Sequence, residues 1–278
     1  MSALTDRYLL ENGVQIPKLG FGTWQIPVGD AAYRSVQLAL RTGYQHIDTA
    51  RAYGNESSVG QAVRDSGLAR DEVFITSKLP AQVKSYEEAH QSFETTMSEL
   101  GLDQLDLYLI HAPWPWDEIG KDCSEGNKQA WRAMEEIYRS GRVRAIGVSN
   151  FIVSDLKSLS ETWEIKPMVN QIKFHIGYTE PDVTEFCQAN NILVEAYSPL
   201  ATGRILDSDT IAEMGRKYGK SVAQVCIRYA LQKNTLPLPK STHEQFIKEN
   251  ADVDFEISSD DMNYLDSLER TTSTTAMK

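Results

Sequence analysis

Short apolar runs alternate with longer amphipathic stretches along most of the chain, after one small outlier at its start. The outlier is "RYLLENGVQIPKL", two apolar runs flanking Glu11-Asn12-Gly13, where Asn-Gly predicts a β-hairpin. Then come "KLGFGTW", "YQHIDTA", "EVFITSKL" and "DLYLIHA", each followed by helical periodicity. "VRAIGVSN", "MVNQIKF", "ILVEAYSP" and "TLPLPKS" continue the series, giving eight strand–helix units. Runs such as "LDLYLI" and "VRAIGV" are rich in β-branched and large apolar residues, as parallel strands covered by helices require. The helical stretches carry end signals. In "SYEEAHQSFETTMSELG", Ser85 is the candidate N-cap, acids fill the first turn and Gly101 stops the helix. In "NKQAWRAMEEIYRSGRV", Ala130, Met134, Ile137 and Tyr138 share one face, and Gly141 ends the segment.

Strands alternating with helices mean an α/β protein. Length leaves two average domains or one barrel open. Eight units without a Pro/Gly/Ser-rich linker predict a single (β/α)8 TIM barrel over residues 1–278, its bottom closed by the hairpin. The competing fold, a doubly wound open sheet, calls for GxGxxG after the first strand. "GFGTWQ" offers Gly20 and Gly22 but Gln25 at the third position, and GxxxxGK[ST] occurs nowhere. The tail "TTSTTAMK" is of low complexity and is expected to fray.

Charge and cysteine usage narrow the partners. A net charge of -11 argues against nucleic acid or an anionic membrane surface, while leaving room for a local basic phosphate pocket. No apolar run approaches the ~18–20 residues of a membrane span. "MSALTDRYLLENG" lacks the basic and apolar regions of a secretory signal. Cys123, Cys187 and Cys226 stand far apart, with no CxxC and no metal-like spacing to the histidines. The expectation is a cytoplasmic protein with free thiols and no metal.

In a barrel, function collects at the C-terminal ends of the strands. Those ends here carry Asp48, Lys78, His111, Ser149-Asn150, Gln171, Tyr197-Ser198 and Lys240-Ser241. Taken singly, each has a plainer role: Tyr53 as a packed loop aromatic, Asp48 as a cap, Lys78 as a solvated cation, His111 as a satisfied histidine. Asp, Lys and His on three consecutive strands beside a loop tyrosine form a more specific pattern. A free tyrosine has a pKa of about 10. A neighbouring Lys78 ammonium is expected to lower it, with Asp48 keeping the lysine charged. With His111 orienting a substrate oxygen, the quartet describes a general acid aimed at a carbonyl. The carbonyl carbon then needs a hydride, which calls for a nicotinamide cofactor.

Over essentially its full length the chain resembles the aldo-keto reductases, and within them the bacterial branch of 2,5-diketo-gluconate and glyoxal reductases. The resemblance rests on "GFGTWQ", "GYQHIDTARAYGNE", "VFITSKL", "LDLYLIHAPWP", "GRVRAIGVSNF", "KPMVNQIKFH", "VEAYSPL" and "LPKSTHEQFIKENADVDFE". It implies NAD(P)H-dependent reduction of small aldehydes, ketones or dicarbonyls by a monomer, with Tyr53 as proton donor. It further implies that Lys78 and Asp48 tune Tyr53 while His111 orients the substrate. Ser149, Asn150 and Gln171 would hold the nicotinamide carboxamide, and Tyr197 would stack on the ring. Gly22, Thr23, Trp24, Ser198 and Leu200 would line the dinucleotide path. Lys240, Ser241 and Thr242 would receive the 2′-phosphate, with Glu249 and Asn250 near the adenine. The last assignment has independent support: "PKSTHEQF" sets a lysine, two hydroxyls and free backbone N–H groups at a helix start.

Two features depart from the family pattern. Many relatives carry arginine at the position of Phe246, so NADPH is expected to be preferred less strictly, with NADH a weaker alternative. A guanidinium–phosphate hydrogen bond is typically worth about 1.5–3 kcal/mol. Only a short segment follows "SSDDMNYLDSLE", which leaves one wall of the substrate pocket low. Trp114 and Trp116, with Trp24, are the candidate aromatic walls; the first two also suit a purely structural role anchoring their long loop. An open pocket of this kind suits several small carbonyl substrates. A non-catalytic NADP(H)-binding barrel, regulatory or redox-sensing, remains the competing function. A metal-dependent hydrolase lacks a ligand cluster.

Overall fold

The computed structural model describes residues 2–268, so the tail "TTSTTAMK" lies outside the described residues. The chain opens with a hairpin of β1 (Arg7–Leu9) and β2 (Gln15–Pro17), antiparallel with Tyr8 opposite Ile16. The turn between them is wider than a two-residue Asn-Gly turn. Leu10 N donates to Val14 O, and Gly13 takes the left-handed conformation at φ 85°. Asn12 does two jobs: Oδ1 accepts from Val14 N, and Nδ2 donates to Arg144 O at 2.9 Å. Leu10 and Ile16 pack with Phe74, Leu107, Val169 and Leu236, most of them at strand beginnings. The hairpin therefore closes the N-terminal end of the sheet interior.

Eight parallel strands follow in chain order: β3 (Phe21–Gly22), β4 (His46–Asp48), β5 (Phe74–Leu79), β6 (Leu105–Ile110), β7 (Val143–Ser149), β8 (Val169–Lys173), β9 (Leu193–Tyr197) and β10 (Leu236–Leu238). Gly20 N donates to Pro237 O and Gly22 N to Pro239 O, which joins the last strand to the first and brings the sheet round to a barrel. All eight strand-like runs of the sequence become barrel strands. The doubly wound alternative is excluded.

The outer layer consists of α1 (Asp30–Thr42), α2 (Glu56–Arg64), α3 (Tyr86–Leu100), α4 (Ser124–Arg139), α5 (Val153–Ser160), α6 (Pro181–Ala189), α7 (Asp209–Tyr218), α8 (Val222–Gln232), α9 (Glu244–Ala251) and α10 (Ser259–Ser267). Ser85 caps α3 by accepting from Glu88 N, and Gly101 ends it in the left-handed conformation. The apolar face of α4 buries Ala130, Met134 and Ile137 against the barrel, with Tyr138 at its margin. At Gly60 the next helix passes so close that a Cβ would stand 1.9 Å from Leu100 O, so only glycine fits there.

No helix among the described residues is long and apolar enough to cross a membrane. The three cysteines are free thiols, two of them buried. No group of three or more potential metal ligands occurs among the described residues.

Candidate active site

Strand register brings the polar strand ends together. Asp48 closes β4 and Lys78 stands near the end of β5, its neighbour, while His111 directly follows β6. Lys78 is completely buried and Asp48 nearly so. Lys78 Nζ lies 2.8 Å from each Asp48 oxygen, 2.9 Å from Thr49 O and 3.3 Å from Tyr53 Oη. An ammonium taken out of water without a partner is strongly disfavoured, and the bidentate carboxylate offsets that cost. Burial works to lower the Lys78 pKa, but Asp48 and Tyr53 outweigh it and hold it above the ordinary lysine value.

Tyr53 ends a short turn of 3-10 helix, Arg51–Tyr53, stopped by Gly54 at φ 68°. That turn is held from below. Buried Asn55 donates to Thr23 O and Ile26 O, both at 3.0 Å, and accepts from Thr49 Oγ1 at 2.8 Å. Thr23 in turn directs its N–H and its hydroxyl at Asp48 O. Asn55 thus does more than turn the chain: it stitches the loop after β3 to the loop after β4.

The Tyr53 pKa departs from the sequence expectation. Burial raises it most, the Lys78 ammonium lowers it, and Asp48 and Glu195 raise it, leaving it above 10.0. Desolvation of the phenolate outweighs the ammonium, a balance that residue types alone do not reveal. His111 shifts the other way, from 6.5 to about 3, through burial and then the Lys78 charge. It is neutral across physiological pH. Its ring meets Tyr53 edge-on at 5.6 Å and Trp116 at 5.5 Å, and Trp114 meets Trp116 at 5.1 Å. Trp24 is exposed and makes no ring contact with this cluster.

A second group lies beside the quartet. Ser149 Oγ donates to Gln171 O at 2.8 Å; Asn150 Nδ2 donates to His111 O at 2.9 Å and Ser149 Oγ at 3.0 Å. Tyr197 Oη donates to Asn150 Oδ1 at 2.8 Å. Gln171 Nε2 donates to Asp48 Oδ2 at 2.9 Å and to Glu195 Oε2 at 2.7 Å, tying this group to the quartet. Backbone strain concentrates just beyond: Asn150, Ser198, Ala201 and Thr202 all have positive φ. Leu200, between the last three, packs partly buried against the core.

A third group surrounds the start of α9. Lys240 and Thr242 are exposed, Ser241 is buried and its Oγ accepts from His243 N at 3.1 Å. Lys240 has no ion-pair partner among the described residues. Phe246 is half exposed with its ring against His243, Glu249 is partly buried and Asn250 is buried. Gly22 sits where a Cβ would come within 3.2 Å of Leu238 O. A separate cavity of about 380 Å³, lined by Arg51, Gln82, Gln91 and Ser92 among others, includes none of the quartet.

Sequence comparison matches the model of the aldo/keto reductase family to residues 18–270. The chain belongs to the aldo/keto reductase family. A glyoxal reductase of Bacillus subtilis (strain 168) is 44% identical over 270 residues, covering 97% of this chain and 95% of that protein. The oxidoreductase YtbE of the same organism is 46% identical over 270 residues, covering 95% of this chain and 93% of that protein. An aldo/keto reductase from Brucella melitensis superposes with a TM-score of 0.90 at 37% identity, covering 96% of this chain and 99% of that one. Membership makes this aldo/keto reductase an oxidoreductase of the carbonyl-reducing kind.

Residue reasoning overlooked one member of the site. Glu195 is fully buried on β9 and bonded to Gln171, yet it was not among the expected residues. A signal was present: an acid in an apolar strand, two residues before Tyr197 and so on the same side of the sheet. The donor set fits a nicotinamide carboxamide. The Gln171 amide nitrogen is engaged by two carboxylates, which leaves Oε1 as its free end, with hydroxyl and amide groups of Ser149 and Asn150 alongside.

Proposed function

We propose that this aldo/keto reductase reduces small aldehydes, ketones or dicarbonyls to alcohols at the expense of NADPH, with Tyr53 as the proton donor. The observation that carries the proposal is the Tyr53 hydroxyl at 3.3 Å from the ammonium of the buried Lys78–Asp48 pair. A phenol whose pKa lies above 10.0 is fully protonated at neutral pH, as a donor must be. As its proton passes to the carbonyl oxygen, the adjacent Lys78 charge stabilises the phenolate left behind. Neutral His111 is suited to donate a hydrogen bond to that oxygen and fix its position. Trp114, packed on Trp116, which in turn meets His111, forms the aromatic wall against which a small carbonyl compound rests.

NADPH, when bound, supplies the hydride that no side chain can. Ser149, Asn150 and Gln171 hold its carboxamide and Tyr197 its ring face. Gly22, Thr23, Trp24, Ser198 and Leu200 border the dinucleotide path. Lys240, Ser241 and Thr242 receive the 2′-phosphate, Phe246 offers an aromatic face, and Glu249 and Asn250 lie toward the adenine. Lacking a guanidinium at residue 246, the enzyme prefers NADPH over NADH moderately. The free thiols support a reducing, cytoplasmic setting, and we read the chain as one domain working as a monomer on a free small molecule.

Tyr53→Phe tests the proposal. General acid catalysis contributes about 10²–10⁴-fold, so kcat/KM for methylglyoxal should fall by that order while the NADPH dissociation constant stays nearly unchanged. Wild-type turnover in this variant would refute the role of Tyr53. Screening NADPH consumption over methylglyoxal, aromatic aldehydes, diketones and keto-sugars narrows the substrate.

A further inference from the structure

Gln171 and Glu195 are direct partners in the β8–β9 register, and both side chains are buried in the barrel. Gln171 Nε2 has two hydrogens and two acceptors, Asp48 Oδ2 and Glu195 Oε2, within 2.9 Å. Both acceptors are carboxyl oxygens, one from β4 and one from β9. Turning the amide over would set Oε1 against these two oxygens and leave the amide hydrogens unpaired there. Two acceptors together therefore hold the nitrogen inward and the carbonyl outward. A single acceptor leaves that orientation weakly determined, because the terminal torsion of glutamine is broad.

We infer that Glu195 is a positioning residue, which locks the Gln171 amide so that its carbonyl accepts from the nicotinamide carboxamide N–H. The inference rests on the assignment of Gln171 under the proposed function. Glu195 has no evident structural reason to be acidic. It is fully buried, pairs with no cation, and its Oε1 has no hydrogen-bond partner among the described residues. An apolar side chain would fill the same place at lower desolvation cost. Burial and the nearby Asp48 charge push its pKa well above the ordinary carboxylate range.

The test compares equilibrium binding of NADPH with that of its 3-acetylpyridine analogue, whose acetyl group keeps the carbonyl but has no N–H to donate. Wild type should bind NADPH about three- to tenfold more tightly than the analogue, the worth of one ordinary hydrogen bond. Glu195→Met and Glu195→Thr, two truncations of the acceptor that do not depend on the same packing, should bring the ratio close to one. Their affinity for 2′,5′-ADP should stay within about twofold of wild type, since one lost bond near the nicotinamide leaves the adenosine end untouched. Glu195→Gln, which keeps a carbonyl acceptor on the same frame, should retain the ratio. An undiminished ratio in the folded Met or Thr variant overturns the inference, as does its loss in Glu195→Gln. If wild type itself does not distinguish the two dinucleotides, it is the Gln171 assignment that fails.

Discussion

Asp48→Asn probes the centre of the site with almost no change of shape. Asp48 accepts two bonds from Lys78 at 2.8 Å and one from Gln171 at 2.9 Å. Asparagine keeps one oxygen but turns the other into an NH2 group facing donors. Lys78, fully buried, is then an ammonium without a counter-charge. Breaking a buried pair from one side typically costs about 3–5 kcal/mol. An independent limit comes from the lysine itself, which can shed its proton instead. Doing so at pH 7, from an unfolded pKa of about 10.4, costs roughly 5 kcal/mol at 1.36 kcal/mol per unit. The two figures agree, so a loss of about 3–5 kcal/mol is expected. It is a large share of the 5–15 kcal/mol typical of folded proteins. The origin also dictates a pH signature. If the lysine is deprotonated in the variant, the penalty relative to wild type shrinks by about 1.4 kcal/mol for each unit of rising pH. Urea unfolding of both proteins at pH 7 and pH 9 measures both quantities. A penalty below about 1 kcal/mol at pH 7 would mean that Lys78 does not depend on Asp48 for its charge, and the mechanism built on that charge would fall with it.

Three further outcomes follow from the same geometry. His111 has a folded pKa near 3 against 6.5 unfolded, so the unfolded chain binds more protons between those values and stability is lost as pH falls from 6.5 toward 3. Between pH 7 and pH 5, wild type should lose about 2 kcal/mol more than His111→Gln in urea titrations; equal losses would contradict a neutral buried imidazole. Asn55→Ala removes three hydrogen bonds and leaves Ile26 O and the Thr49 hydroxyl without their partner, for an expected loss of about 2–4 kcal/mol of unfolding free energy. A loss under 1 kcal/mol, measured the same way, would show that the two loops do not rely on it. Phe246→Arg restores a phosphate-directed guanidinium at an exposed position, and the ratio of kcat/KM for NADPH over NADH should rise by about tenfold or more. An unchanged ratio would mean that residue 246 does not face the 2′-phosphate.

The fold was legible because its signals are local. Each strand-like run is a handful of apolar residues, each helix announces itself through period and caps, and Ser85 and Gly101 act as expected. The quartet was legible for a related reason: strand order in a barrel follows chain order, so residues at consecutive strand ends are neighbours by construction. Asp48, Lys78 and His111 needed only that rule. The hairpin turn shows where local signals stop. Asn12-Gly13 marks the turn, but Asn12 also reaches Arg144, and that contact sets a wider loop than the dipeptide alone implies.

The remainder depends on burial, which no residue type carries in itself. Tyr53 illustrates the point. From charges alone, an adjacent ammonium lowers a phenol pKa; inside this barrel the loss of water outweighs it and the pKa rises. The consequence for mechanism is a division of labour rather than a contradiction. In the proposed mechanism, burial keeps the proton on Tyr53 until a carbonyl arrives, and Lys78 acts on the phenolate that forms only as the proton leaves. Glu195 follows the same logic from the other side. In sequence it is one acid in "VEAY", 147 positions from Asp48. In the fold it shares one amide with Asp48, and only that shared partner makes it part of the site. An acid on an inward strand position is therefore read best through what it must hold still.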